Sequence, residues 1–165
     1  MRQGNGHIVI EGLDKTGKST LARFLSERLG MPIKKFSNPG AGEDAAVEYA
    51  EFIVSSQACV VDRMHLSEMA YGPVMRGEST VDENVQRVIE GLLAKRGSVG
   101  VYCSAEYDDL VARFKADGED FIKPEDIVAI KNGFDSALST STMKWIEYRV
   151  GDDMEAIVKA IEGAQ

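Results

Sequence analysis

The feature that most constrains the fold is a glycine-rich segment at residues 12–19, whose sequence GLDKTGKS has the spacing Gly-x4-Gly-Lys-Ser. An apolar run at residues 7–11 precedes it, and a segment with helical apolar spacing at residues 18–29 follows it. Gly12 and Gly17 allow a tight turn in which successive N–H groups face one point, and the following helix adds the positive end of its dipole. This strand–loop–helix unit predicts a site for the phosphates of a nucleoside triphosphate.

Side chains of the loop complete the predicted site. Lys18 is expected to reach the β- and γ-phosphates, and the Ser19 hydroxyl is expected to bind Mg²⁺. ATP and Mg²⁺ are therefore the predicted cofactors, while the loop alone does not identify the group that accepts the phosphate. The predicted nucleotide-binding residues of this segment are Gly12, Asp14, Lys15, Thr16, Gly17, Lys18, Ser19 and Thr20.

The rest of the chain alternates between short apolar segments and segments with helical spacing. The predicted strands cover residues 7–11, 32–36, 58–62, 98–103 and 144–150. The predicted helices cover residues 18–29, 43–54, 66–76, 82–96, 106–116, 124–138 and 152–161. This alternation predicts an α/β fold of three layers, in which a five-stranded parallel sheet is flanked by helices, in a single domain over residues 1–165.

Several residues are expected to begin, end or break these elements. Gly72 and Pro73 predict a break or kink in the third helix, because proline lacks the N–H group that continues the helical hydrogen bonds. Asp152 is predicted to cap the last helix. Residues 117–123 are polar and contain Gly118, so we expect a loop there.

Composition argues against several classes of function. The formal net charge is -8, and an acidic surface repels the phosphates of an extended nucleic-acid duplex. No apolar run approaches the roughly 18 residues of a membrane span, and residues 1–6 lack the apolar stretch of a secretory signal, so the cytoplasm is the expected location. Cys59 and Cys103 belong to no Cys-x-x-Cys pair, which argues against a zinc or redox motif.

Three blocks of sequence carry a resemblance to a known family. Residues 11–20 read EGLDKTGKST, residues 60–71 read VVDRMHLSEMAY, and residues 38–40 read NPG. The first block resembles the start of thymidylate kinases, the second is similar to their strand-ending Asp-Arg and the helix after it, and the third looks like a remnant of their Arg-Glu-Pro-Gly segment. The chain thus resembles the thymidylate kinase-like family of P-loop nucleoside-monophosphate kinases, whose viral members are often this short.

The resemblance implies a P-loop kinase fold with a mobile lid, and phosphoryl transfer from ATP to a nucleoside monophosphate. It implies that Asp14 meets the 3′-hydroxyl of the acceptor sugar and that Lys15 stabilises the moving phosphoryl group. Arg63 would hold the acceptor phosphate, and Asp62 would organise Mg²⁺ or water. The predicted catalytic residues are therefore Lys15, Lys18, Asp62 and Arg63, and the predicted metal ligands are Ser19 and Asp62.

Further residues are assigned by position to the acceptor or to the lid. Phe36 and Tyr71 fit equally well as rings that stack on a base and as core residues. Arg113 falls where the family begins its lid and is predicted to contact the cofactor, with residues 115–123 as the lid itself. The predicted acceptor-binding residues are Asp14, Phe36, Pro39, Arg63, Tyr71 and Arg76.

The sequence also departs from the family at positions that bind the acceptor. Ser37 and Asn38 stand where the family has arginine and glutamate, and Gly72 replaces a glutamine. A neutral amide does not accept a proton, so Asn38 cannot serve as a general base. These differences leave the identity of the acceptor base open. Lys34 and Lys35 are further cations of this region, and their pattern favours a solvated strand face.

Three functions remain open at this point. The first is a kinase for a nucleoside monophosphate. The second is a related viral kinase that phosphorylates a hydroxymethylated base, such as 5-hydroxymethyluracil, within DNA, where recognition of a flipped base can be local despite the acidic surface. The third is a nucleotide-binding switch that hydrolyses slowly and has no acceptor. The predicted partners are a nucleotide acceptor, with DNA as a possible substrate and no membrane; the resemblance adds a homodimer through helices such as residues 82–96.

Overall fold

The computed structural model describes residues 4–37, 43–117 and 123–165. Within these ranges the strands are β1 (Ile8–Gly12), β2 (Ile33–Lys35), β3 (Val60–Asp62), β4 (Val99–Cys103) and β5 (Trp145–Tyr148). The helices are α1 (Lys18–Leu29), α2 (Ala45–Ser55), α3 (His65–Arg76), α4 (Glu83–Lys95), α5 (Tyr107–Ala116), α6 (Pro124–Thr140) and α7 (Met154–Ala164). None of these helices is long and apolar enough to cross a lipid bilayer.

The strands form a sheet in the order β2-β3-β1-β4-β5, and every pairing is parallel. β1 lies at the centre, and its residues Ile8, Val9 and Ile10 are fully buried. Because all strands run the same way, their carboxyl ends meet at one edge, where open α/β sheets bind ligands. The glycine-rich loop after β1 therefore lies beside the residues that follow β3.

Helices cover both faces of the sheet, which confirms the predicted α/β fold with a five-stranded parallel sheet between helical layers. Residues Ile8 and Ile10 of β1 pack against α1 and α7, whereas Val9 packs against α2 and α4. This alternation follows from the period of two along a strand. On the second face, α3, α5 and α6 form a further apolar cluster that includes Leu13 of the loop.

Of the break or kink predicted at Gly72 and Pro73, the break does not occur, since α3 continues to Arg76 with Pro73 inside it. Close packing on α6 accounts for the continuity. A side chain at Gly133 of α6 would stand 2.8 Å from the Ala70 backbone, so the two helices touch almost directly. A helix that is supported along its length tolerates the loss of the hydrogen bond that proline removes.

The cap of the last helix lies one residue later than predicted. Its cap is Asp153, whose carboxylate accepts from the Glu155 N–H at 3.0 Å. Asp152 instead accepts from the Arg149 N–H at 2.8 Å and closes the turn after β5. Adjacent aspartates compete for the capping position, and sequence alone does not rank them.

A buried polar network joins the start of α3 to α4 and to the end of α6. Glu90 and His65 are both fully buried, and His65 Nε2 lies 3.0 Å from Glu90 Oε1. Glu90 also accepts from the Ser141 hydroxyl at 2.7 Å and from the Thr142 N–H at 2.6 Å. Burial alone would raise the pKa of Glu90, but the hydrogen bonds from His65, Ser141 and Thr142 together lower the pKa to about 2.

Glu90 therefore links stability to acidic pH. Its pKa in the folded protein lies below the ordinary value of 4.5, so its contribution is complete above pH 4.5 and is lost as the pH falls towards about 2. We expect the free energy of unfolding to fall between pH 5 and pH 2 by up to about 3 kcal/mol more in the native protein than in Glu90→Gln. Urea unfolding across this range measures the difference. The exposed Glu125→Gln is the control, and equal pH slopes in all three proteins would contradict the assignment.

Candidate functional site

At Gly12 and Gly17 the backbone of the glycine-rich loop has a positive φ angle, which favours glycine. Gly12 has a φ of 145°, and a side chain there would stand 2.3 Å from the Cys103 carbonyl oxygen of β4. Gly17 has a φ of 84° and immediately precedes α1. No side chain caps α1 at this residue, so the first N–H groups of the helix are left for a ligand.

The side chain of Lys18 is buried within the glycine-rich loop. The residue is 5% exposed, and its Nζ donates to the Leu13 carbonyl oxygen at 2.6 Å. The Asp14 carboxylate lies 4.0 Å from the same Nζ. Burial lowers the pKa of the Lys18 ammonium group, and the charge of Asp62 opposes that shift. The positive charge of Lys18 is thus poorly solvated and would gain from an incoming anion.

The two predicted metal ligands are neighbours in the structure. The Ser19 hydroxyl lies 3.3 Å from Asp62 Oδ2, because β3 pairs beside β1 and ends at Asp62. The other oxygen, Oδ1, is buried and has no hydrogen-bond partner among the described residues. Those residues include no cluster of three or more His, Cys, Asp and Glu side chains that could hold a metal. One hydroxyl and one under-used carboxylate nevertheless fit Mg²⁺, which takes most of its ligands from water and substrate phosphates.

Arg63 joins Asp14 and Tyr71 in a second group beside the loop. Its guanidinium group forms an ion pair with the Asp14 carboxylate and lies 5.5 Å from the centre of the Tyr71 ring. The Tyr71 hydroxyl accepts from the Asp14 N–H at 2.9 Å. Arg63 has a φ of 71°, a left-handed conformation that is unusual for a residue with a side chain and often marks functional sites.

The end of α5 also contacts the loop. Arg113 donates to the Lys15 carbonyl oxygen at 2.7 Å, and Lys15 Nζ lies 2.5 Å from the Asp117 carboxylate. These contacts place Arg113 beside the loop, and its contact with the cofactor stays a prediction. Two predictions lie outside the described residues: the acceptor-binding residue Pro39, and the part of the lid at residues 118–122.

Two predicted acceptor-binding residues lie away from this group. Phe36 is 4% exposed and packs edge-on against Tyr49 and Phe52, with ring centres 5.0 and 5.2 Å apart. Arg76 forms an ion pair with Glu68, whose side chain is 1% exposed. Both side chains are thus engaged in packing or pairing within the described structure, and neither lines the cavity beside the loop.

A cavity of about 410 Å³ opens between the loop and the ends of β2 and β3. Its wall includes the loop lysines, the two predicted metal ligands and Arg63. Lys35, which fits a solvated face by sequence, also contributes to its wall. The lining residues are Asp14, Lys15, Gly17, Lys18, Ser19, Thr20, Lys35, Asp62 and Arg63.

A second cavity, of about 290 Å³, lies on the other side of the loop, at the ends of β4 and β5. Leu13 and Thr16 of the loop form one wall. The opposite wall includes Ser104 and Glu147, which are joined by a hydrogen bond of 2.7 Å. The loop is therefore flanked by two spaces, one towards β2 and one towards β5.

Glu11 is a residue of the site region that the sequence analysis did not single out. It is fully buried near the end of β1, and its carboxylate accepts from the N–H groups of Met64 at 3.0 Å, Leu66 at 2.9 Å and Ser67 at 3.2 Å. The Ser67 hydroxyl donates to it as well. Burial raises the pKa of Glu11, and nearby His65 and the bonds from Ser67 oppose that shift. The only feature of the sequence that points to Glu11 is its position as a single acidic residue at the end of an apolar strand.

Comparison with solved structures identifies the fold. The YorR protein of Bacillus subtilis, in complex with phosphorylated GDP, has a TM-score of 0.80 and 24% identity, over 94% of this chain and 93% of that chain. Deoxyadenosine kinase from M. mycoides with bound dATP has a TM-score of 0.57 and 15% identity, over 95% and 97%. Thymidylate kinase from Ehrlichia chaffeensis has a TM-score of 0.52 and 18% identity, over 96% and 99%.

A gluconokinase and a shikimate kinase are also among the structural neighbours. The chain has the P-loop kinase fold. At these identities the likeness shows the fold alone, and thymidylate kinase is one neighbour of several. No family model and no curated protein matches the sequence.

Proposed function

We propose that this protein transfers the γ-phosphate of ATP to a nucleoside monophosphate, in the manner of thymidylate kinases. The observation that carries the proposal is the composition of the 410 Å³ cavity, where the loop lysines and the Ser19–Asp62 pair share one space with Arg63. A nucleotide-binding switch needs the first two features only. An additional guanidinium group facing the same space supports a second anionic substrate.

The donor would bind along the loop. Its phosphates would accept from the N–H groups at the start of α1, and Lys18 would neutralise their charge. Ser19 and Asp62 are the residues that would hold Mg²⁺, which when bound neutralises developing charge on the phosphate oxygens. Phosphoryl transfer depends mainly on such positioning and charge neutralisation, so the residues named here suffice for the donor side.

The acceptor would approach from the side of β2 and β3. Two phosphate groups repel each other, and Arg63 offsets that repulsion because a guanidinium group binds phosphate through two parallel hydrogen bonds. The Tyr71 ring below it and the Asp14 carboxylate beside it fix its orientation. The structural neighbours include a protein in complex with phosphorylated GDP, a deoxyadenosine kinase and a thymidylate kinase, which supports a nucleotide as the acceptor class.

Transfer of labelled γ-phosphate from ATP tests the proposal. The panel of acceptors holds every common nucleoside monophosphate, the matching nucleosides, and DNA with normal or hydroxymethylated bases. Label on a free monophosphate would support the proposal and name the base. Label on DNA alone would make the protein a kinase of modified DNA, and ATP hydrolysis that no acceptor stimulates would indicate a switch. The homodimer stays a prediction that sedimentation would test.

Replacing Arg63 separates acceptor binding from donor binding. Arg63→Ala is expected to raise the KM of the acceptor monophosphate by about tenfold to a hundredfold, because a charge-assisted contact to phosphate is lost. The KM of ATP is expected to change by less than about threefold. Steady-state kinetics with each substrate varied in turn measures both. Arg28→Ala is the control, because Arg28 pairs with the exposed Glu155. An unchanged acceptor KM would remove Arg63 from the site.

A further inference from the structure

Lys35 is the last residue of β2 and lies on the face of the strand opposite its neighbour. Lys34 Nζ lies 4.8 Å from the centre of the Phe36 ring, so these two side chains share one face. Since side chains alternate along a strand, Lys35 faces the other way. On that side it lines the 410 Å³ cavity together with Lys18 and Asp62. Its backbone pairs in register with Asp62, which fixes its position at the ligand-binding edge.

Lys35 differs in its pairing from the other cations that line the cavity. Among residues 4–37, 43–117 and 123–165, no carboxylate forms an ion pair with Lys35, whose exposed side chain lines the cavity. An ammonium group in this situation is available to an incoming anion. The other cations that line the cavity have carboxylates near them: Arg63 pairs with Asp14, Lys15 pairs with Asp117, and Lys18 Nζ lies 4.0 Å from Asp14.

Lys35 and Lys18 line the same cavity. Two ammonium groups that repel each other across a cavity both gain when an anion enters between them. The cavity is therefore arranged for more negative charge than its two aspartates, Asp14 and Asp62, provide.

The position of Lys35 indicates which substrate it meets. A donor nucleotide whose phosphates lie on the loop has room for its nucleoside in the 290 Å³ cavity, which Leu13 and Thr16 border on the side of β4 and β5. Lys35 lies on the opposite side, at the end of β2, where Arg63 also lines the wall. An anion that reaches Lys35 and Arg63 together comes from the acceptor side.

We propose that Lys35 binds the phosphate group of the acceptor together with Arg63. This inference rests on the proposed function. Arg76, the other candidate for this task, is held by the buried carboxylate of Glu68. Lys35 is thus a substrate-binding residue.

Isothermal titration calorimetry on the full chain tests the assignment. The probes are ADP and the nucleoside monophosphate that accepts label in the transfer assay, or each common monophosphate in turn if none accepts label. Lys35→Met is expected to weaken monophosphate binding by about tenfold to a hundredfold and ADP binding by less than about twofold. Lys35→Arg is expected to restore most of the monophosphate affinity. The matched control is Lys34→Met, on the opposite face of the same strand, which is expected to change neither affinity.

Each outcome decides between the two proposals. Monophosphate binding that depends on Lys35, without phosphoryl transfer, would support this inference and reject the proposed function. Transfer with full monophosphate affinity in Lys35→Met would keep the function and reject the inference. Equal losses for ADP and monophosphate would also overturn it, since Lys35 would then contact the donor. A native protein that binds no monophosphate would overturn both.

Discussion

Lys18→Ala is expected to lower kcat/KM for phosphoryl transfer by at least about a thousandfold while the protein stays folded. Lys18 is the cation at the centre of the loop, and its Nζ is held by the Leu13 carbonyl oxygen rather than by a close ion pair. A bound triphosphate replaces that weak contact with a strong one, and the contact tightens as charge develops on the transferring group. The loss therefore falls mainly on kcat.

The same substitution is expected to leave stability nearly unchanged. Burial lowers the pKa of Lys18, which means that the folded protein stabilises the charged form less well than water does. Removing the charge relieves that penalty and offsets the loss of one hydrogen bond. Urea unfolding and transfer kinetics on the same preparation measure the two effects. The exposed Lys159→Ala serves as the control, and near-normal turnover in Lys18→Ala would reject the phosphate-loop assignment.

The sequence predicted the central unit of the fold closely because short-range signals determine it. The helix α1 occupies the predicted residues 18–29, since Gly17 begins it and Gly30 ends it in left-handed conformations. The parallel sheet followed from the alternation of strands and helices. The continuity of α3 at Pro73 could not be predicted in this way, because whether a helix continues through proline depends on its support by α6, which no local pattern reports.

Much of the site followed from the same reasoning. Asp62 and Arg63 come after β3, and a strand beside β1 brings its carboxyl end to the loop. The proximity of Ser19 to Asp62, and of Asp14 to Arg63, is therefore a consequence of parallel pairing. Their roles in catalysis stay predictions.

Residues whose environment depends on tertiary contacts were harder to assign. Arg76 and Lys35 are both cations near the ends of their elements, yet only Arg76 meets a buried carboxylate. Phe36 lies one residue beyond Lys35 on the opposite face of the chain and packs into the core. In an edge strand as short as β2, the neighbouring elements decide which face each side chain occupies. Its three residues are too few to show a periodic pattern in the sequence.

Glu11→Ala is expected to lower the free energy of unfolding by about 3 to 5 kcal/mol, the largest stability effect that the site region offers. The carboxylate accepts from the N–H groups of Met64, Leu66 and Ser67 and from the Ser67 hydroxyl. Alanine would leave these buried donors without an acceptor at the start of α3. Glu11→Gln keeps one carbonyl oxygen and is expected to lower the free energy of unfolding by about 1 to 3 kcal/mol. Urea unfolding at neutral pH ranks the proteins, with the exposed Glu48→Ala as the control.

The effect of Glu11→Gln on activity shows whether Glu11 positions Arg63 or only stabilises the fold. Glu11 holds the first turn of α3 directly after Arg63, whose left-handed backbone needs support on both sides. In Glu11→Gln, assayed at a temperature where it is fully folded, the turn is looser and the guanidinium group is less well oriented. The acceptor KM is then expected to rise severalfold and the KM of ATP to change less, because the hydrogen bonds of Glu11 go to Met64, Leu66 and Ser67, directly after Arg63. Equal changes in both constants would show that Glu11 stabilises the fold without positioning Arg63.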